Sequence, residues 1–136
     1  MEHDRRCFTP GQILVASLFG GLPGGLFLYR HNAHLFGKEK DGNQVFFLGI
    51  GLTLMGLGIS VLGHGPFAHS LASSFGPVSV ILPFLVARRI QASELQRFQE
   101  GGGQTASYMK AVSVGFLSLL AILAVGFLIA WLTAKW

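Results

Sequence analysis

The chain has 136 residues, of which 51% are hydrophobic and 12% charged, against about 25% charged residues in a typical soluble domain. A surface so poor in charge excludes an ordinary water-soluble globule, and the length leaves no room for a soluble enzymatic module beside a membrane part. The net charge of +4 does not mark a nucleic-acid binder, because the cations are spread over membrane flanks without aromatic-basic interleaving or a nucleic-acid motif.

Charged residues divide the chain. Between Arg6 and Arg30 lie 23 residues without Asp, Glu, Lys or Arg, between Asp41 and Arg88 lie 46, and between Lys110 and Lys135 lie 24. One crossing of the hydrocarbon core takes about 20 predominantly apolar residues. The outer stretches fit one crossing each, and the middle one fits two around the turn signal Gly63-His64-Gly65-Pro66. The pattern predicts an all-α polytopic membrane protein: four transmembrane helices at about 11–29, 45–62, 67–87 and 108–132, forming one bundle and one domain. Continuous apolar runs favour helices over a barrel of alternating strands.

The first span reads as a retained helix rather than a signal peptide, since Glu2 and Asp4 precede it and no small-x-small cleavage pattern follows. Cys7 is the single cysteine, which excludes an intramolecular disulfide and a cysteine metal cluster. Within the span, Gly20, Gly21, Pro23, Gly24 and Gly25 predict a break or kink, because proline removes a backbone donor and glycine admits irregular dihedrals. A closely packed kink is preferred to a broken helix whose freed backbone lines a transport site. A phosphate loop is excluded by the missing Gly-Lys-Ser/Thr ending. His31 and His34, three residues apart, lack a third ligand and are read as interfacial polar residues, so no metal is expected.

The second span carries Gly49, Thr53, Gly56, Ser60 and Gly63 at alternating steps of four and three, one seam of small residues suited to close helix contact. His64 and His69 flank the next turn, with Ser70, Ser73 and Ser74 following. Hydrogen-bonded caps at the water boundary are preferred there to a proton-linked role. After the third span, residues 88–100 predict a juxtamembrane amphipathic segment on the headgroups, ended by Gly101-Gly102-Gly103. The last span repeats the small-residue device with Ser107, Ala111, Gly115 and Ser118. Packing within the chain is preferred to packing against a second copy for both seams.

With four crossings, the first and third loops carry seven Lys and Arg residues and the other side three, so both termini are expected to face away from the cytoplasm. Apart from Lys110 at the very start of the last, no Asp, Glu, Lys or Arg falls within a predicted span, which weakens a proton pump, a charged-substrate carrier and an enzyme alike. Ser73, Ser74 and His69 lack an acidic partner and a Gly-x-Ser-x-Gly motif, so no catalytic residue and no cofactor is assigned. The reading that remains is a structural or accessory membrane subunit in the lipid bilayer, packing with itself or a larger membrane partner. The alternative is a small channel or carrier for a neutral or weakly polar solute, built from several copies.

Gln12-Ile13, Ala16-Ser17, Phe19-Gly20-Gly21, Pro23-Gly24-Gly25 and Asn32, followed by Gly102-Gly103, Ser107 and Ala111 before a final apolar helix, resemble a group of small uncharacterised bacterial four-helix membrane proteins. Leu22 separates the glycine pair from the proline, where that group has them adjacent. The resemblance implies a bacterial inner-membrane location and carries no activity with it.

Overall fold

The computed structural model describes residues 6–63 and 66–134. It holds five helices in chain order: α1 (Pro10–Leu35), α2 (Glu39–Leu62), α3 (Pro66–Ile90), α4 (Ala92–Glu100) and α5 (Tyr108–Thr133). Two short strands, β1 (Arg6–Cys7) and β2 (Gln104–Thr105), pair in parallel, with Arg6 opposite Gln104 and Cys7 opposite Thr105. Four helices are long and apolar enough to cross a membrane: α1, α2, the Ser73–Ile90 part of α3, and α5.

The helices overrun the apolar stretches that predict them. α1 continues to Leu35 and α2 begins at Glu39, several residues beyond the expected bounds of 29 and 45. Glu39 and Asp41 lie in the first turn of α2, where a carboxylate meets the positive end of the helix dipole. The chain reverses between these helices at Gly37, whose φ of 73° suits a residue without Cβ. The expected amphipathic segment at 88–100 is divided: α3 runs through Ile90, Gln91 bends the chain, and α4 is a separate nine-residue helix.

α1 is not one rod. Thr9 opens it with a capping box, accepting from Gln12 N at 3.3 Å while Gln12 Oε1 accepts from Thr9 N at 2.9 Å. A first arm, residues 10–20, then runs to Gly21, whose φ of 56° and ψ of −152° interrupt the helix in a region essentially reserved for glycine. A second arm, residues 22–35, follows. Pro23 stands in its first turn, where a missing N–H costs no helical bond.

A straight helix would hold Phe8 about 36 Å from Asn32. Instead Phe8 N donates to Asn32 Oδ1 at 2.8 Å, and Asn32 Nδ2 donates to Phe8 O at 2.7 Å. Halfway along, Gly24 backs onto the Ala16 carbonyl, and Gly25 lies against the Ser17 hydroxyl. The arms are therefore antiparallel. The break expected between Gly20 and Gly25 is present at Gly21, and it is a reversal rather than a kink.

This hairpin forms the core. Of the apolar window of α1, 56% is buried, against 11% in α2, 17% in α3 and 6% in α5. α5, α3 and α2 each pack on α1, while α2 meets α3 and α5 only lightly. The reversal also brings residues 6–8 to the end of the molecule that holds the α1–α2 connection and α4. α5 leaves that end and reaches Thr133 at the opposite one, about 39 Å away along its axis. The four-crossing reading would place both chain ends together. All eight described Lys and Arg residues, Arg6, Arg30, Lys38, Lys40, Arg88, Arg89, Arg97 and Lys110, lie at the hairpin-base end.

Candidate functional site

Three amides close the base of the hairpin. Asn32, 1% exposed, bonds both backbone groups of Phe8 and donates to Gln91 Oε1 at 3.2 Å. Gln91 Nε2 donates to the Tyr29 carbonyl at 3.0 Å, and Gln12 Nε2 donates to the Ala106 carbonyl at 2.5 Å. Each amide thereby satisfies carbonyl or N–H groups that burial would otherwise leave without partners. Together they fasten β1, both arms, the α3–α4 joint and the segment before α5. Sequence reasoning passed over Gln91 and weighed Gln12 and Asn32 only for resemblance. Their signal was present: amides interrupting or flanking apolar runs, and Thr9-x-x-Gln12 as a capping-box pattern.

The tip is built from the glycines singled out in the sequence. A Cβ at Gly20 would stand 2.5 Å from the Gly115 carbonyl oxygen and 2.7 Å from Ser118 Cβ, and one at Gly115 would stand 2.7 Å from the Ala16 oxygen. The first arm thus meets α5 backbone to backbone, and a Cβ at Gly24 of the second arm would stand 3.4 Å from Gly115 Cα. Gly25 admits the ring of Pro83 on α3. Pro23 faces elsewhere, into a trough between the second arm, α2 and α5.

The two predicted seams are divided among different neighbours. On α2, Gly49 backs onto Leu22 and Leu26 of the hairpin, Thr53 is buried, and a Cβ at Gly56 would stand 3.2 Å from the Phe75 ring of α3, whereas Ser60 and Gly63 are exposed. On α5, Ser107 caps the helix and accepts from Lys110 N at 3.4 Å. Ala111 and Gly115 are buried on α1, and Ser118 is half-buried at the hairpin tip. Hydroxyls along the helices bond their own backbone: Thr53 to Gly49 O, Ser60 to Gly56 O, Ser73 and Ser74 to Ser70 O, and Ser79 to Gly76 O.

Two grooves run along the hairpin. The upper one, about 1040 Å³, lies at the hairpin base among β1, the second arm, α4 and α5, where Arg6, His31, His34 and Lys110 line it together with Phe27, Leu35 and Val114. The lower one, about 270 Å³, is the apolar trough between the second arm, α2 and α5, lined by Pro23, Phe27, Ile50, Ala121 and Val125. Phe27 lines both. Arg30 sits over the Phe46 ring at 5.2 Å, at the upper edge of the trough.

His31 and His34 share this exposed edge and face different groups. His31 Nε2 meets the Arg6 carbonyl at 3.1 Å and its ring stands edge-on to Phe8, while His34 Nδ1 lies 3.5 Å from Glu39. His64 and the side chain of His69 lie outside the described residues. Cys7 is fully buried with its sulfur 3.8 Å from the Gln104 carbonyl. Burial pushes its thiol pKa up, so it has the character of a packing residue rather than a nucleophile. Lys38 bonds Glu94, joining the α1–α2 connection to α4. That bond, with help from Glu94's own backbone and Ser93, lowers the Glu94 carboxyl to about 2 and raises Lys38. Comparisons with protein-family models, with curated proteins and with solved structures gave no match.

Proposed function

We propose that the chain is a multi-pass membrane protein of the bacterial inner membrane, with α2, α3 and α5 crossing and α1 entering and returning as a re-entrant hairpin. It serves as an accessory subunit that packs on a second membrane chain, in the simplest case another copy of itself. The eight clustered cations support a cytoplasmic location for the hairpin base, because Lys and Arg near span ends are retained on that side. Residues 6–8 are then cytoplasmic and the end of α5 is not.

One observation carries the subunit reading. The hairpin tip meets α2, α3 and α5 near Gly49, Ser79 and Ser118, so nothing from α1 fills the space between their distal halves. There, a Cβ at Gly58 or Gly76 would meet nothing within 4 Å, while Leu54, Met55, Leu123, Phe127 and Trp131 are exposed. Glycine in an open helix costs about 1 kcal/mol relative to alanine, a cost offset where another backbone approaches closely.

Gly58→Leu and Gly76→Leu test this, since neither should disturb the chain's own packing. The unmodified chain should give a cross-linked species in native membranes, and the expected result for both variants is unchanged detergent stability with loss of that species. Unchanged cross-linking in both variants would remove the subunit reading. A second reading, a small channel or carrier, is favoured by the break at Gly21. It ranks lower because the Thr53 and Ser79 hydroxyls near the tip are bonded to their own helices, and the trough beside them is lined almost wholly by apolar side chains, which leaves little polar lining for a solute.

A further inference from the structure

One hydroxyl along the apolar helices departs from what its neighbours do. Thr53, Ser60, Ser79, Ser113 and Thr133 each bond a carbonyl about one turn back in their own helix. Among the described residues, Ser118 has no hydrogen-bond partner, and its side chain lines the lower trough. Ser118 follows Tyr108, the first residue of α5, by ten residues. That distance is about 15 Å along the helix, the middle of a hydrocarbon core about 30 Å thick. At that depth water does not satisfy a hydroxyl, so the missing partner marks a place for an acceptor.

The trough selects the rest of the ligand. Its 270 Å³ are too few for a partner helix, whose diameter with side chains is about 10–12 Å. None of the described residues that line it is charged, so charge complementarity admits a neutral molecule and refuses a phosphate or a carboxylate. Pro23 and Phe27 stand about 6 Å apart along the second arm, and the Phe27 and Phe46 rings meet edge-on at 6.3 Å. This apolar wall suits a flat ring. Leu57 and Val125 continue the trough as an aliphatic channel.

We infer that the trough binds one neutral lipid of the quinone class, a carbonyl-bearing ring with a single hydrocarbon tail. The ring lies beside Pro23 and Phe27, one ring carbonyl accepts from Ser118 Oγ, and the tail follows Leu57 and Val125. Thr53, the other hydroxyl in the trough, already donates to the Gly49 carbonyl at 2.9 Å, which leaves Ser118 as the donor. A phospholipid acyl chain would fill the same walls and leave that hydroxyl unsatisfied. A few polar groups that orient a ligand within mostly apolar and aromatic walls are the usual make-up of a small-molecule site.

The inference rests on the membrane reading, and its test separates the two. The full chain is purified in detergent and titrated with decylubiquinone, and separately with decylbenzene, which has a ring and tail but no carbonyl. Affinity is read from thermal stabilisation, and native mass spectrometry counts the bound ligand. One decylubiquinone per chain is expected, held about fivefold more tightly than decylbenzene, the scale of one neutral hydrogen bond. Ser118→Ala, which removes a single heavy atom, should erase that difference. Ala121→Trp, which fills the trough from an exposed position, should abolish binding of both compounds, and Ser118→Ala still decides the matter if the tryptophan destabilises the chain. Equal affinity of the unmodified chain for the two compounds would overturn the inference. So would a preference indifferent to Ser118→Ala, or displacement of decylubiquinone by an equal amount of phosphatidylcholine, which would assign the trough to an acyl chain. A chain that stays dispersed without detergent would instead sink the membrane reading itself.

Discussion

At the contact between Gly20, Gly115 and Ala16, a single methyl group separates a tolerated substitution from a damaging one. Gly115→Ala would place Cβ 2.7 Å from a backbone oxygen that cannot rotate away, so a loss of about 1–3 kcal/mol is expected from overpacking. Gly58→Ala, in open space, should leave stability level or raise it by up to about 1 kcal/mol. Equal melting temperatures in detergent for the two variants would remove the close contact from the account. Gly21→Ala should cost about 1–3 kcal/mol, because the backbone there occupies a glycine region. Asn32→Leu should cost a similar amount by stranding both polar groups of Phe8 in a buried setting. Hydrogen exchange localised to residues 6–9 would report that loss directly.

Among the elements, α1 shows what a sequence specifies and what it leaves open. The cluster Gly20 to Gly25 announced a break, since glycine and proline act on the local backbone. The angle of the break was not legible, because it is set by Asn32 reaching Phe8 and Gln91, partners 24 and 59 residues away in the chain. The same gap inverts the expectation for Pro23. With the break at Gly21 and Pro23 in the first turn of the second arm, Pro23→Ala restores no helical hydrogen bond and should leave the hairpin in place. A melting temperature raised by several degrees would show the proline to be a helix breaker after all. The seams of small residues were legible as surfaces, while their division between α1, α3 and open space depended on where the hairpin ends.

α4 depends on a different force. Its tie to the α1–α2 connection is Lys38–Glu94, with the carboxyl lowered from 4.5 to about 2. A group whose pKa falls on folding stabilises the folded form above its unfolded value and loses that contribution as pH drops through the folded value. Exchange protection of α4 should therefore hold near neutrality and decline between about pH 4.5 and pH 2. Lys38 is raised, so its share is lost only as pH climbs beyond the ordinary lysine range. Because the pair is exposed to solvent, high salt should weaken it as well. Glu94→Gln should flatten the acid decline and leave the three long helices unaffected.

For the whole molecule, the reversal at Gly21 changes the accounting of sides. In a background with Cys7 replaced, cysteines at Asp41 and Gly102 should resist an impermeant thiol reagent added to intact cells, and one at Ala134 should react. Reaction at Gly102 together with protection at Ala134 would invert the orientation. Labelling of Asp41 and Gly102 on opposite sides would dismantle the arrangement of three crossings and a hairpin.

The order in which the molecule is made then matters. Arms of residues 10–20 and 22–35 extend about 16 and 21 Å, too short for either to settle alone across a hydrocarbon core about 30 Å thick. The contacts that hold them come from residues synthesised much later: Pro83, Gln91, Gln104, Ala106 and Gly115. On the proposed membrane reading, the earliest of the described helices to leave the ribosome should be the last to find its place, held at the membrane surface until α5 is made. A nascent chain halted at residue 100 should leave residues 10–35 open to cytoplasmic protease, and release to full length should close that window.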